Sequence, residues 1–188
     1  MSNLIVFAYP LKPYPSSHFI EGINAITTRL SRPLPTSKTT QYTPAIVAMQ
    51  SAGAYNAHEA LYLNAKEEIL EATTSNFFAI KNGTLYTCTS EEVLIGITRE
   101  VVLKLTAPHF PLETRALHYS EINEIDEAFI TASNKEVMPV VQIDSIQVGD
   151  GKVGPKTKQI MELFRNYTQE SDWPTLNIPR YSPALDTL

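Results

Sequence analysis

Lys38 ends the run Arg32-Pro-Leu-Pro-Thr-Ser-Lys38 and is followed four positions later by Tyr42, while Glu71 stands in Ile69-Leu-Glu71-Ala-Thr-Thr-Ser-Asn76. A lysine amine can hold an aldehyde cofactor as a Schiff base. A carboxylate under a pyridine ring can keep the ring nitrogen protonated, so that the ring draws electrons from a bound carbon. Each residue also has a plainer explanation: a loop lysine is ordinarily a solvated charge, and a strand glutamate can simply face water. Glu71, however, lies between apolar Leu70 and small Ala72. An unpaired carboxylate buried there would cost several kcal/mol, so it needs a partner.

One further segment could hold a doubly charged phosphate. Gly96-Ile97-Thr98 falls where a loop becomes a helix, and the first amides of a helix are free to meet an anion; the plainer reading is that Thr98 caps the helix. Gly149-Asp-Gly151-Lys-Val-Gly154 satisfies the dinucleotide-binding pattern G-x-G-x-x-G, which keeps a nucleotide-binding protein open as a different class of function. It comes too late for a second strand to supply the ribose-binding acid, and it reads better as a hairpin turn and helix start.

These residues need elements to carry them. Leu4 to Tyr9 reads as a strand closed by Pro10, and residues 25–37 as a second strand or irregular segment. Pro44 to Tyr55 reads as a helix with Thr43 as cap and proline at the first position. Glu59–Asn64 and Ile69–Thr73 read as strands. Phe77–Cys88 reads as a hairpin, because Asn82-Gly83 supplies two positive-φ residues. Apolar positions 97, 101, 102 and 105 predict a helix from Ile97 to Thr106, stopped by Pro108. A short strand over Leu112–Leu117, a helical turn at Ser120–Glu124, strands at Phe129–Thr131 and Val140–Val148 and a helix from Pro155 to about Tyr167 complete the order. The tail from Ser171 reads as irregular, and the acidic cluster around Asp126 and Glu127 as a solvated face. The class is mixed α and β.

Bulk properties narrow the function. The chain has 188 residues, 43% of them hydrophobic and 19% charged, enough for a real core, and its formal net charge of −5 argues against nucleic acid or an anionic membrane as the main partner. No apolar run of transmembrane length and no secretory leader is evident, so a cytoplasmic protein is expected. The single cysteine, Cys88, reads as a buried inert thiol. Histidines 18, 58, 109 and 118 lack metal-ligand spacing, so no metal is expected.

In order and spacing, these motifs together resemble the class IV aminotransferases, a family that includes the branched-chain and D-amino-acid aminotransferases and aminodeoxychorismate lyase. The resemblance covers about Leu4 to Phe164 and implies the large C-terminal domain of fold type IV, a pseudo-barrel of mixed sheets with flanking helices. It divides the chain into residues 1–15 as the last strand and linker of a smaller domain, 16–170 as the cofactor-binding domain and 171–188 as a tail. It implies pyridoxal 5′-phosphate as cofactor, with Lys38 as Schiff-base lysine and proton shuttle, Tyr42 on the cofactor's phenolate oxygen and Glu71 on its ring nitrogen. Gly96, Ile97, Thr98, Ala132 and Ser133 would serve its phosphate. Ala72 stands where the family usually has glycine, which adds a methyl close to the ring. The implied activity is amino transfer between an amino acid, branched-chain or D, and a 2-oxo acid, in a homodimer or with a separately supplied small domain. The alternatives are a lyase-type elimination and a cofactor-binding relic without turnover.

Overall fold

The computed structural model describes residues 6–170. A short helix α1 (Ser17–Ile20) leads into β1 (Ile23–Thr28), an irregular stretch then reaches α2 (Thr43–Ala54), and β2 (Glu59–Leu63) follows. Next come β3 (Glu68–Ala72), the hairpin of β4 (Asn76–Lys81) and β5 (Thr84–Thr87), and α3 (Ile97–Thr106). Short strands β6 (Leu112–Thr114) and β7 (Leu117–His118) precede a 3-10 turn at Tyr119–Glu124. The rest is β8 (Glu127–Ala132), β9 (Glu136–Ile143), β10 (Ile146–Gln147) and α4 (Pro155–Glu170).

The strands form one mixed sheet that closes on itself. Its central run β4-β8-β9-β1-β2-β3 returns to β4 through the pairing of Glu71 with Asn76, which makes a six-stranded barrel with β5, β6, β7 and β10 as appendages. β1 lies parallel to both β2 and β9, and α2 makes the β1 to β2 crossover. Alternation along each strand sends neighbours to opposite faces. Phe77, Ala79, Ala128, Ile130, Met138 and Val140 fill the barrel. Phe78, Ile80, Phe129 and Val137 point outward, where Val102 of α3 and Ile160, Met161 and Phe164 of α4 cover them. On the opposite side Ala48 and Ala52 of α2 pack on Ala60.

Several local expectations hold for local reasons. Asn82 and Gly83 have φ of 50° and 80°, as the tight hairpin requires, and the helix over 97–106 is present as spaced. Cys88 is buried, and desolvation, with Glu92 beside it, pushes its thiol up to about 12.

Others are corrected. The expected strand at 4–9 is absent over residues 6–9, where Val6, Phe7 and Tyr9 are exposed; residues 4 and 5 lie outside the described residues, as does the tail from Ser171. A strand needs a neighbour for its backbone groups, and here no described strand lies alongside. Thr43 does not cap α2: Tyr42 occupies the cap position without a side-chain bond, and Thr43 is already helical. The segment predicted at Val140–Val148 is β9 and β10, so the hairpin turn falls at Asp144-Ser145 and not in the glycine loop. Leu112–Leu117 is two short strands.

The acidic cluster is not merely a solvated face. Glu127 is buried and accepts hydrogen bonds from the amides of Lys156 (3.1 Å) and Thr157 (2.6 Å), so it holds the N-terminus of α4 where a negative charge is favoured. Gly154 has room for no side chain because the Glu127 carboxyl fills that space. The amides a nucleotide phosphate would need are thus occupied by the protein's own carboxylate, which removes the dinucleotide-loop reading. No helix among the described residues is long and apolar enough to cross a membrane.

Candidate active site

The turns β3–β4 and β8–β9 lie side by side, because Asn76 at the start of β4 pairs with Thr131 near the end of β8. Over them come the loop before α2 and the N-terminus of α3, and a cavity of about 370 Å³ lies between. This is within the ~300–1,000 Å³ common for small-ligand pockets. Lys38 and Tyr42 line it from the loop, and Glu71 lines it from the end of β3. Gly96, Ile97 and Thr98 line it from α3, and Ala132 and Ser133 from the β8–β9 turn. All eight residues singled out in the sequence therefore meet in one place.

Glu71 is only 3% exposed. Its Oε1 accepts from Arg32 Nη1 at 3.3 Å, and its Oε2 from the Leu94 amide at 3.2 Å and Asn76 Nδ2 at 3.4 Å. All three bonds are long. Burial pushes the Glu71 carboxyl up to about 7 even though the Arg32 guanidinium and the Leu94 amide pull it down. The folded protein then holds a proton that the unfolded chain, with an ordinary value of 4.5, releases. Stability falls as pH rises between those values, by roughly 3 kcal/mol in the limit. Glu71→Gln carries no such titration. Urea unfolding of cofactor-free protein at pH 5 and pH 8 should show the wild type losing stability relative to the variant by about that amount; a pH-independent difference between the two would contradict it.

Arg32 is not among the site residues that the sequence suggests. Its Nη2 donates to the carbonyl of Ser37 at 3.2 Å while its Nη1 holds Glu71. One guanidinium thus ties the residue preceding Lys38 to the acid across the pocket. The only signal in the sequence is a cation six positions before the lysine. Asn76 likewise stands out in the sequence only as a flank of Glu71. It donates to the carbonyl of Leu94 at 2.7 Å and lies so close to Gly96 that any side chain there would collide with it.

The start of α3 has the character of an anion site. Gly96 is the cap residue, in extended conformation, and no side chain caps the helix. Among the described residues the amides of Ile97 and Thr98 have no acceptor, and Thr98 does not take the capping role. In the wall of the same pocket the hydroxyl of Thr131 is buried and has no hydrogen-bond partner among the described residues. Ala72, by contrast, is not at the pocket: its methyl is packed in the barrel core, which corrects the expectation that it lies against a bound ring. A second concavity shares Arg32, Tyr62 and Glu71 but has neither Lys38 nor the α3 amides.

Residues 2–143 match the family model for amino-transferase class IV. The chain belongs to this family. It is 33% identical over 158 residues to the D-alanine aminotransferase of Staphylococcus aureus (strain COL), a match covering 82% of this chain and 56% of that protein. It is 40% identical over 111 residues to the probable branched-chain-amino-acid aminotransferase of Aquifex aeolicus (strain VF5), covering 57% and 36%. The branched-chain amino acid aminotransferase of Escherichia coli has the same fold, with a TM-score of 0.77 at 28% identity over 84% of this chain and 55% of that one. The PLP form of the branched-chain amino acid aminotransferase from Thermobaculum terrenum gives 0.74 at 25% identity, over 82% and 53%. This class IV chain therefore spans about half the length of the relatives it matches.

Proposed function

We propose that this chain is the cofactor-binding part of a pyridoxal-phosphate-dependent class IV aminotransferase, which moves an amino group between a branched-chain or D-amino acid and a 2-oxo acid. The observation that carries the reading is one pocket lined by an exposed lysine, Lys38, a buried carboxyl, Glu71, and the first residues of α3, whose amides have no acceptor among the described residues. The residues fit the cofactor: an acid for a ring nitrogen, two free amides for a phosphate and the unpartnered Thr131 hydroxyl. When bound, pyridoxal phosphate supplies an electron-withdrawing ring that stabilises negative charge left on the substrate Cα.

In this reading the protein's residues divide the work. Lys38 would hold the cofactor's aldehyde carbon, and its free amine would move a proton at the substrate Cα. Tyr42 donates a hydrogen bond to the phenolate oxygen. Glu71 keeps a proton on the ring nitrogen, and Arg32 fixes both the acid and the Lys38 loop. The amides of Ile97 and Thr98, the Thr98 hydroxyl and the Ala132-Ser133 turn receive the phosphate, with the α3 dipole favouring its charge. Residues 16–170 form the cofactor domain. Residues 1–15 connect it to the part of the relatives that this chain does not span, which supplies further substrate contacts. Borohydride treatment of protein incubated with pyridoxal phosphate tests the assignment: label should be fixed on Lys38, and label elsewhere or none would refute it.

A homodimer is part of the proposal. In α2 the small residues Ala45, Ala48 and Ala52 are buried, whereas Ile46, Val47 and Met49 are 56%, 46% and 36% exposed beside the pocket. Large apolar groups on the outward face of a helix need a cover, and a second copy supplies one. Ile46→Glu with Val47→Lys should convert a sedimenting dimer to monomer, whereas a wild type already monomeric at tens of micromolar would remove this part of the proposal.

A further inference from the structure

Lys135 lies just beyond Ser133 and is 5% exposed. Its ammonium has three hydrogens, and it makes three bonds: to Glu59 Oε2 at 2.6 Å, Thr74 Oγ1 at 3.0 Å and Ser75 Oγ at 3.0 Å. Glu59 has no exposed surface. Its other oxygen accepts from the Ala60 amide at 3.0 Å and from the Thr73 hydroxyl. The Lys135 amide donates to the carbonyl of Ala132 at 3.1 Å, closing its own turn. Lys135 therefore joins the β8–β9 turn to the β3–β4 turn through its bonds to Thr74 and Ser75, while its ion pair with Glu59 anchors it to the start of β2, and both turns line the pocket.

The direction of these bonds matters. A lysine ammonium cannot accept a hydrogen bond. The Thr74 and Ser75 oxygens must therefore act as acceptors toward it, and each keeps its own hydrogen to donate. Among the described residues none accepts from either hydroxyl. Thr73 differs, because its hydrogen is committed to Glu59. The ammonium thus occupies an acceptor site on each of the two hydroxyls and leaves both hydrogens for another acceptor.

We propose that Lys135 is a positioning residue that presents Thr74 and Ser75 as paired hydroxyl donors to an anionic oxygen group in the pocket, either the cofactor's phosphate or a substrate carboxylate. The inference deepens the class IV reading and rests on it for the identity of the ligands. Its test needs no turnover. Cofactor-free protein is titrated calorimetrically with inorganic phosphate, with glutarate and with pentanamide, which carries no anionic group. Two variants are compared, Thr74→Val/Ser75→Ala and Glu59→Gln/Lys135→Met, the latter removing both charges together because an unpaired buried Glu59 could prevent folding.

Each variant should weaken binding of one anion about tenfold, the size expected for losing a hydrogen bond to a charged group, with pentanamide unchanged. Loss for phosphate assigns the subsite to the cofactor, and loss for glutarate assigns it to the substrate. Unchanged affinity for both anions in either variant, equal weakening of pentanamide, or no binding of either anion by the wild type overturns the proposal. Failure of the class IV reading shows separately, as absence of borohydride-fixed label at Lys38.

Discussion

Lys38→Ala should give a colourless protein after incubation with pyridoxal phosphate, with no borohydride-fixed label at position 38, and should slow amino-group exchange by at least ~10²–10⁴-fold. The effect should be confined to chemistry. Lys38 is exposed and makes no hydrogen bond or ion pair with any described residue, so its truncation should change stability by no more than about 0.5 kcal/mol. Arg32 still holds the Ser37 carbonyl in the variant, which keeps the loop in place. Absorbance, mass spectrometry of the reduced protein and thermal melting separate these effects. A variant that keeps its label at another lysine, or that exchanges at the wild-type rate, would remove Lys38 from the role assigned to it.

The same lysine shows what a sequence can and cannot disclose. Lys38, Glu71 and the Gly96–Thr98 segment are legible because their chemistry is tied to residue type and to local context: an amine before a helix, an acid in an apolar strand and a glycine at a helix start. Asn82-Gly83 is legible because positive φ is a local demand. Arg32 is not, since its meaning comes from a contact 39 residues away that exists only once the loop folds over the barrel end. Glu59 and Lys135 are 76 residues apart, and only barrel closure makes them partners. Two misreadings have the same origin. The apolar run before Pro10 has strand composition, but residues 6–9 have no strand beside them among the described residues, and Glu127 reads as solvated because its partners, the first amides of α4, are 29 and 30 residues further on. Composition reports what a segment could bury or pair, and topology decides whether a partner arrives.

Glu71→Gln should separate binding from chemistry. The variant should still turn yellow and label at Lys38, because the amine and the α3 amides are untouched, yet amino-group exchange with added amino acid should fall by about 10- to 150-fold, the equivalent of one charge-assisted hydrogen bond of ~1.5–3 kcal/mol. In the wild type the buried carboxyl sits near 7, so at neutral pH one titratable proton is available at the bottom of the pocket. With a pyridine nitrogen beside it, that proton can rest on the ring while the negative charge on Glu71 remains supported by Arg32, Leu94 and Asn76. Glutamine matches the shape and keeps hydrogen-bonding capacity but has no charge to hold a proton on the ring. Single-turnover absorbance changes on adding amino acid measure the exchange, and cofactor titration measures the binding. Exchange at the wild-type rate would show that ring protonation does not depend on Glu71. Loss of colour would show instead that the acid mainly holds the cofactor in place.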